Sequence, residues 1–108
     1  ARLCYNLHPL HRCPQLDAMA RAHAQRMTQY QAVFHSVNSA HKLRHKLNSL
    51  HVGENNFRGR SVFEIHNKTM ANAGSFLRSN ILSSSFREVG IGTAFDADGV
   101  IYLVQLFR

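Results

Sequence analysis

The hydrophobic positions of this chain first repeat at helical spacing directly after Pro14. A mostly apolar stripe then recurs every three or four residues: Leu16, Met19, Ala20, His23, Met27, Tyr30 and Phe34. This spacing predicts an amphipathic helix, with Pro14 at its first position and Asp17 near its positive end. We predict a helix over residues 14–33 whose apolar stripe, including a core histidine at position 23, packs into the interior.

The middle of the chain carries two shorter patterns. Leu43 and Leu47 share one face of a short helix predicted over Ala40–Leu47. Residues 50–55 then read as a short strand that contains Gly53.

A helix start is predicted after Ser61. Ser61 and Glu64 have the spacing of a capping box, in which each side chain bonds the backbone amide of the other residue. We expect a helix over residues 62–72, ended by Gly74.

The last third of the chain has the pattern of a β-hairpin. Residues 88–95 and 100–107 are rich in β-branched and aromatic side chains, and an Asp-Gly turn signal separates them. In the first strand the small residues Gly90, Gly92 and Ala94 share a face, which would let a helix pack closely. The second strand is apolar on both faces and should be buried on both. These elements predict an α+β fold, a three-layer α-β-α sandwich with a C-terminal antiparallel hairpin.

Size and hydropathy limit the class of protein. A chain of 108 residues has room for one domain, over residues 1–108. The mean hydropathy is −0.26, and no apolar run approaches the roughly 20 residues of a membrane-spanning helix. No targeting peptide is visible at the start of the sequence.

Charge is distributed unevenly. There are 13 Lys+Arg against 6 Asp+Glu, a formal net charge of +7, and before Gly53 the only acidic residue is Asp17. The densest cationic segment, residues 41–46, contains the basic patch, defined as Lys42, Arg44, His45 and Lys46. The patch either attracts an anionic partner or is a solvated face that keeps the protein soluble.

The two cysteines are Cys4 and Cys13. A disulfide between them would close a short loop and stabilise the fold by roughly 2–3 kcal/mol. Two free thiols are the alternative, because two cysteines do not define a redox compartment.

Several segments, in order, resemble the CAP superfamily of cysteine-rich secretory proteins, antigen 5 and pathogenesis-related proteins. Residues 9–16 are similar to the Pro-Leu-x-Trp-Asp-Pro-x-Leu start of the family's long helix, and Phe34-His35-Ser36 to its Phe-Ser-His segment. Gly53-Glu54-Asn55 matches its Gly-Glu-Asn signature, and residues 78–82 resemble its His-Arg-x-Asn-Ile-Leu segment. Residues 89–107 resemble its closing hairpin.

The departures from the family pattern concern the start of the chain. The family's first helix carries an Asn-x-x-Arg motif well before Pro-Leu, whereas Asn6 lies three residues ahead of Pro9, so that helix is shortened or replaced. Cys13 stands where an Asp normally caps the long helix, and a thiol is a poor cap. This substitution is consistent with Cys13 pairing with Cys4.

The resemblance implies a central cleft with two histidines and two acidic residues, a set suited to zinc or another divalent cation. His35 and Glu54 match the first His and the first Glu, but Leu77 stands at the second His. Glu64 and His66 are candidates for further cleft residues. We therefore expect either weak metal binding by His35 and Glu54, or a buried His–Glu hydrogen bond that anchors a loop to a strand. The second is preferred, because a buried carboxylate needs donors.

The resemblance also implies a function. We expect a non-catalytic, secreted or cell-surface binding module for a lipid or sterol, an anionic glycan or a protein partner. One alternative is a structural CAP domain within a larger assembly; another is a weak divalent-metal-dependent hydrolase, which would need an open metal position and a general base. A nucleic-acid role ranks last, because the chain has no reader motif or stacking platform.

Overall fold

The structure, a computed structural model, describes residues 9–71, 80–83 and 85–108. These residues are organised around a four-stranded sheet. Its strands are β1 (His11–Arg12), β2 (Gly53–Gly59), β3 (Glu88–Phe95) and β4 (Ile101–Phe107), in the spatial order β1-β3-β4-β2. The β3–β4 and β2–β4 pairs are antiparallel, and the β1–β3 pair is parallel. The helices are α1 (Pro14–Tyr30), α2 (Ala40–Leu47) and α3 (Val62–Ala71).

The predicted close approach of a helix to β3 is confirmed. A Cβ atom added to Gly90 would lie 2.2 Å from the carbonyl carbon of Leu16, and one added to Gly92 would lie 2.1 Å from the backbone nitrogen of Arg21. Because van der Waals contact begins well beyond these distances, only glycine lets α1 lie directly on the strand.

Both faces of the sheet carry clusters of apolar side chains, as the apolar pattern of residues 100–107 predicted. On the α1 face the buried cluster contains Cys13, Leu16, Ala20, Ala24, Met27, Leu43, Leu47, Tyr102, Val104 and Leu106. On the other face Ile65 of α3 packs with Phe57 and Leu103. The α+β class and the C-terminal antiparallel hairpin are confirmed, and helical side chains pack against both faces.

Helix α1 is shorter than its pattern predicted. It ends at Tyr30 rather than at residue 33, because Gln31 adopts a left-handed conformation with φ of 50°. The amide of Ala32 then bonds the Met27 carbonyl at 3.3 Å, which closes the helix with a Schellman turn. Glycine usually occupies this position. Because Gln31 stands there instead, the sequence did not indicate where the helix ends.

The strand predicted over residues 50–55 is wrong at both ends. Strand β2 begins at Gly53 and continues to Gly59, because each of its residues pairs with a residue of β4. Leu50, outside the ladder, is 84% exposed. The sequence of β2 is polar and has no alternating apolar residues, so its own pattern does not indicate the full strand. Pairing with β4 defines its extent.

The two shorter helices match their predictions closely. Helix α2 has the predicted bounds and buries Leu43 and Leu47. Helix α3 begins after Ser61, whose Oγ accepts a bond from the Glu64 amide at 3.1 Å, as one half of the capping box requires. Gly74, the predicted helix end, lies outside the described residues.

The first turn of α1 is held by Asp17 rather than by its cap. Cys13 occupies the N-cap and makes no side-chain capping bond; its sulfur lies 3.5 Å from Arg108 Nη2. Asp17 Oδ1 instead accepts the Ile91 amide at 2.8 Å, joining α1 to β3. That bond, with Arg12, lowers the pKa of Asp17 despite partial desolvation. Cys4 lies outside the described residues, so its pairing with Cys13 stays a prediction.

Candidate functional site

Glu54 is the buried centre of a hydrogen-bonded cluster that joins the α1–α2 loop to β2. Its side chain is 2% exposed. Glu54 Oε1 accepts bonds from Ser36 N at 2.8 Å, Asn56 Nδ2 at 2.9 Å and His35 Nδ1 at 3.1 Å, and Ser36 Oγ donates to Oε2. Because an ionised carboxylate accepts about four hydrogen bonds, these donors use most of its capacity.

The donors keep Glu54 ionised. Burial alone would raise the pKa of Glu54, but the bonds from Ser36, Asn56 and His35 outweigh burial, and the pKa is lowered from its ordinary value of 4.5. Because the carboxylate only accepts, Nδ1 of His35 carries the proton and Nε2 remains for solvent.

The predicted contact between His35 and Glu54 is therefore present, with one correction. The preferred interpretation had both groups buried, whereas the His35 side chain is 71% exposed and only the carboxylate is enclosed. The loop packs its backbone and Ser36 against β2, and this arrangement leaves the imidazole at the rim.

His23 fastens the same loop to α1. Its side chain is 1% exposed, Nε2 lies 2.6 Å from the Phe34 carbonyl oxygen, and Arg26 Nη2 lies 3.0 Å from Nδ1. A guanidinium only donates, so Nδ1 accepts and Nε2 carries the proton. The rings of His23 and Phe34 meet edge to face at 5.1 Å. The predicted core histidine is confirmed, and it positions the segment that donates to Glu54.

Acidification should destabilise the protein through His23. Burial lowers the pKa of His23 below its ordinary value of 6.5, so below that pH the unfolded chain binds a proton that the folded chain resists. The free energy of unfolding should therefore fall as the pH drops below about 6.5, with a slope of at most about 1.4 kcal/mol per pH unit for this one group. Urea unfolding across this range measures the slope.

His23→Gln removes the titrating group and should flatten this slope. The matched control is Gln29→Ala, at an exposed position of α1, which leaves every histidine in place and should keep the wild-type slope. An equal slope in wild type and His23→Gln would contradict the assignment.

A cavity of about 440 Å³ opens beside Glu54, between the α1–α2 loop, α2 and β2. Its aliphatic lining includes Val37, Leu43 and Val52, and its amide lining includes Asn38, Asn55 and Asn80. Its size falls within the roughly 300–1,000 Å³ of small-molecule sites.

A chain of hydrogen-bonded amides adjoins this cavity, and two of its members, Asn55 and Asn80, line it. Asn80 Nδ2 donates to Asn55 Oδ1 at 2.8 Å, and Asn55 Nδ2 donates to Gln105 Oε1 at 3.1 Å. Asn55 is fully buried. These three side chains were not among the predicted site residues. Asn55 and Asn80 nevertheless belong to two of the motifs that carried the family resemblance, and that was the available signal.

Glu64 and His66 do not join His35 and Glu54. Neither is among the described residues that line the cavity, and His66 is exposed. The reason is the strand register, which puts Glu54 on the α1 face, whereas α3 packs through Ile65 on the opposite face. Within the described ranges no three His, Cys, Asp or Glu side chains gather as a metal would require. Leu77 lies outside those ranges.

The basic patch lies on α2, which forms one wall of the cavity. Lys42, His45 and Lys46 are exposed and Arg44 is half-buried. The buried side of the same helix carries Leu43 and Leu47, so the patch faces away from the cavity. Among the described residues, each helix is too short or too polar to span a lipid bilayer.

Comparison with known proteins establishes the family. The family model of CAP, the cysteine-rich secretory protein family, matches residues 1–107. The chain therefore belongs to the CAP family. No curated protein sequence matches it.

Solved structures share the fold at low sequence identity. An outer surface protein from Borrelia burgdorferi is similar with a TM-score of 0.81 at 16% identity, over 98% of this chain and 81% of that one. An extracellular SCP-domain protein from Bacillus anthracis gives 0.75 at 20% identity, over 98% of this chain and 35% of that one. The Schistosoma mansoni venom allergen-like protein 4 gives 0.69 at 12%, over 94% and 68%.

Proposed function

We propose that this CAP-family chain is a non-catalytic binding module that takes a lipid or sterol in the cavity beside Glu54. The carrying observation is the combination of a cavity of about 440 Å³ with aliphatic side chains on its wall and a carboxylate that already accepts hydrogen bonds from Ser36, Asn56 and His35. A group so occupied orients a loop rather than activating water. Aliphatic lining favours a hydrocarbon ligand over an anionic glycan.

The proposed location is outside the cell or at its surface. The support is the family, together with the extracellular and outer-surface descriptions of the two proteins from Bacillus anthracis and Borrelia burgdorferi.

Filling the cavity should abolish lipid binding. Val37 lines the cavity and is half-buried, so Val37→Trp places an indole where the ligand would lie. We expect wild type to bind a fluorescent fatty acid or sterol saturably, and Val37→Trp to bind it at least about tenfold more weakly, since losing such a contact area costs about 1.4 kcal/mol or more. Fluorescence titration measures both.

The matched control is Val33→Trp, in the same loop at a side chain that is 42% exposed and outside the cavity. It should bind like wild type. Equal binding by Val37→Trp would show that the ligand lies elsewhere. Absence of saturable binding to any lipid or sterol would contradict the proposal and favour a structural CAP domain in a larger assembly.

The non-catalytic part of the proposal rests on the poor fit of the described residues to a metal. His35 Nε2 is one available ligand atom, whereas the oxygens of Glu54 already accept four hydrogen bonds. A catalytic zinc needs about three protein ligands and an open position. We expect a calorimetric zinc titration near neutral pH to show no saturable binding in wild type or in His35→Ala. Saturable binding lost in His35→Ala, accompanied by ester hydrolysis, would instead support the hydrolase alternative.

A further inference from the structure

Helix α2 has two chemically distinct faces. Leu43 and Leu47 are buried in the core, whereas His41, Lys42, His45 and Lys46 are all exposed. Positions i, i+1, i+4 and i+5 lie on one side of a helix. The side chains that face solvent therefore form one continuous surface, on which Lys42 and Lys46 carry the positive charge.

Helix stability does not account for these charges. Basic residues in the last turn, such as Arg44 and Lys46, complement the helix dipole, but the first turn contains Lys42 and no acid, where the dipole favours negative charge. Among the described residues, no acidic side chain pairs with Lys42, Arg44 or Lys46. The chain has no acidic residue between Asp17 and Glu54. The surface is thus uncompensated within the described molecule.

An apolar side chain lies beside the cations. Leu50 is 84% exposed and shares a shallow groove of about 370 Å³ with His41, Arg44, His45 and Asn48. A soluble polyanion would need the positive charges only. A membrane surface offers both anionic headgroups for the cations and acyl chains for the leucine.

We propose that the basic patch (Lys42, Arg44, His45 and Lys46), together with Leu50, is a docking surface for a membrane that contains anionic lipids. The surface lies on the opposite side of α2 from the cavity, so this proposal does not depend on what the cavity binds. Docking would hold the protein by α2 and the turn that follows it, with Leu50 inserted among the headgroups.

Vesicle sedimentation tests this surface. Wild type should bind vesicles of phosphatidylcholine mixed with phosphatidylserine and should not bind phosphatidylcholine alone, and added salt should weaken the binding. Each Lys near an anionic surface contributes about fivefold in affinity. The double substitution Lys42→Glu with Lys46→Glu should therefore lower the affinity for the vesicles at least about 25-fold. Leu50→Ala should lower the affinity for the vesicles at least about fivefold, because each methylene buried in the membrane contributes about fourfold in affinity.

The matched control for charge is Arg21→Glu with Arg60→Glu, which makes the same change in net charge at exposed positions on α1 and before α3. It should keep most of the vesicle binding, and circular dichroism should show all variants folded. Equal losses in the two double variants would overturn the proposal in favour of net charge alone. Binding to heparin but not to vesicles would overturn it in favour of a sulfated glycan. Vesicle binding unchanged in Leu50→Ala would overturn the role of Leu50 and leave attraction by charge alone.

Discussion

Gly92→Ala should destabilise the protein by at least about 3 kcal/mol, because one added carbon atom would overlap the backbone of α1. The new Cβ would lie 2.1 Å from Arg21 N and 2.5 Å from Arg21 Cα. Backbone atoms in the middle of a helix cannot move aside as a flexible side chain can, so α1 must shift off the sheet. Gly90→Ala, facing the backbone of Leu16, should have a similar effect. Urea unfolding measures both.

Gly99→Ala is the matched control for these substitutions. Gly99 has φ of +79° and nothing within 4 Å of an added Cβ, so alanine meets backbone strain of about 1 kcal/mol without a clash. A Gly92→Ala variant no less stable than Gly99→Ala would contradict the packing of α1 on β3. The combined Gly90→Ala and Gly92→Ala chain should fail to fold, since domains of this size have only about 5–15 kcal/mol of stability.

Glu54→Ala should cost about 2–4 kcal/mol and release the α1–α2 loop. The substitution removes the acceptor for the Ser36 amide and hydroxyl and for the Asn56 amide, and bonds to a charged acceptor contribute about 1.5–3 kcal/mol each before the desolvation of the carboxylate is offset. Urea unfolding gives the free energy. Loss of amide hydrogen-exchange protection at Ser36 would report the loop.

Two comparisons make the Glu54 result specific. Glu88→Ala removes a partly exposed carboxylate paired with Arg108 at 2.9 Å, and should cost less than about 1 kcal/mol. Because the folded pKa of Glu54 lies below its ordinary value, its stabilisation is present above about pH 4.5 and is lost as the pH falls through the folded pKa. A Glu54→Ala chain as stable as Glu88→Ala would show that the cluster does not hold the loop.

Sequence patterns predicted those elements whose residues interact mainly with near neighbours along the chain. The hairpin followed from two β-rich segments around Asp98-Gly99, and α2 followed from Leu43 and Leu47 and ended where Asn48 adopts a left-handed conformation. The bounds of strand β2 could not be predicted in this way, because its residues are held by β4, which is distant along the chain.

The candidate site divides in the same manner. His35 and Glu54 were predicted as partners from their motifs, and His23 as a core residue from the apolar face of α1. Their geometry was not predictable, because the exposure of His35 and the number of hydrogen bonds that Glu54 accepts depend on how the α1–α2 loop lies across β2.

The sequence by itself determined the α+β class, the glycine face on which α1 packs and the cationic outer side of α2, since each is a periodic property of one segment. Only the tertiary structure decided that Glu64 and His66 lie apart from Glu54, that Asn80 meets Asn55, and that a cavity opens beside the carboxylate. Those results depend on strand register and on contacts between distant segments. A one-residue change in register would have turned Glu54 to the other face of the sheet.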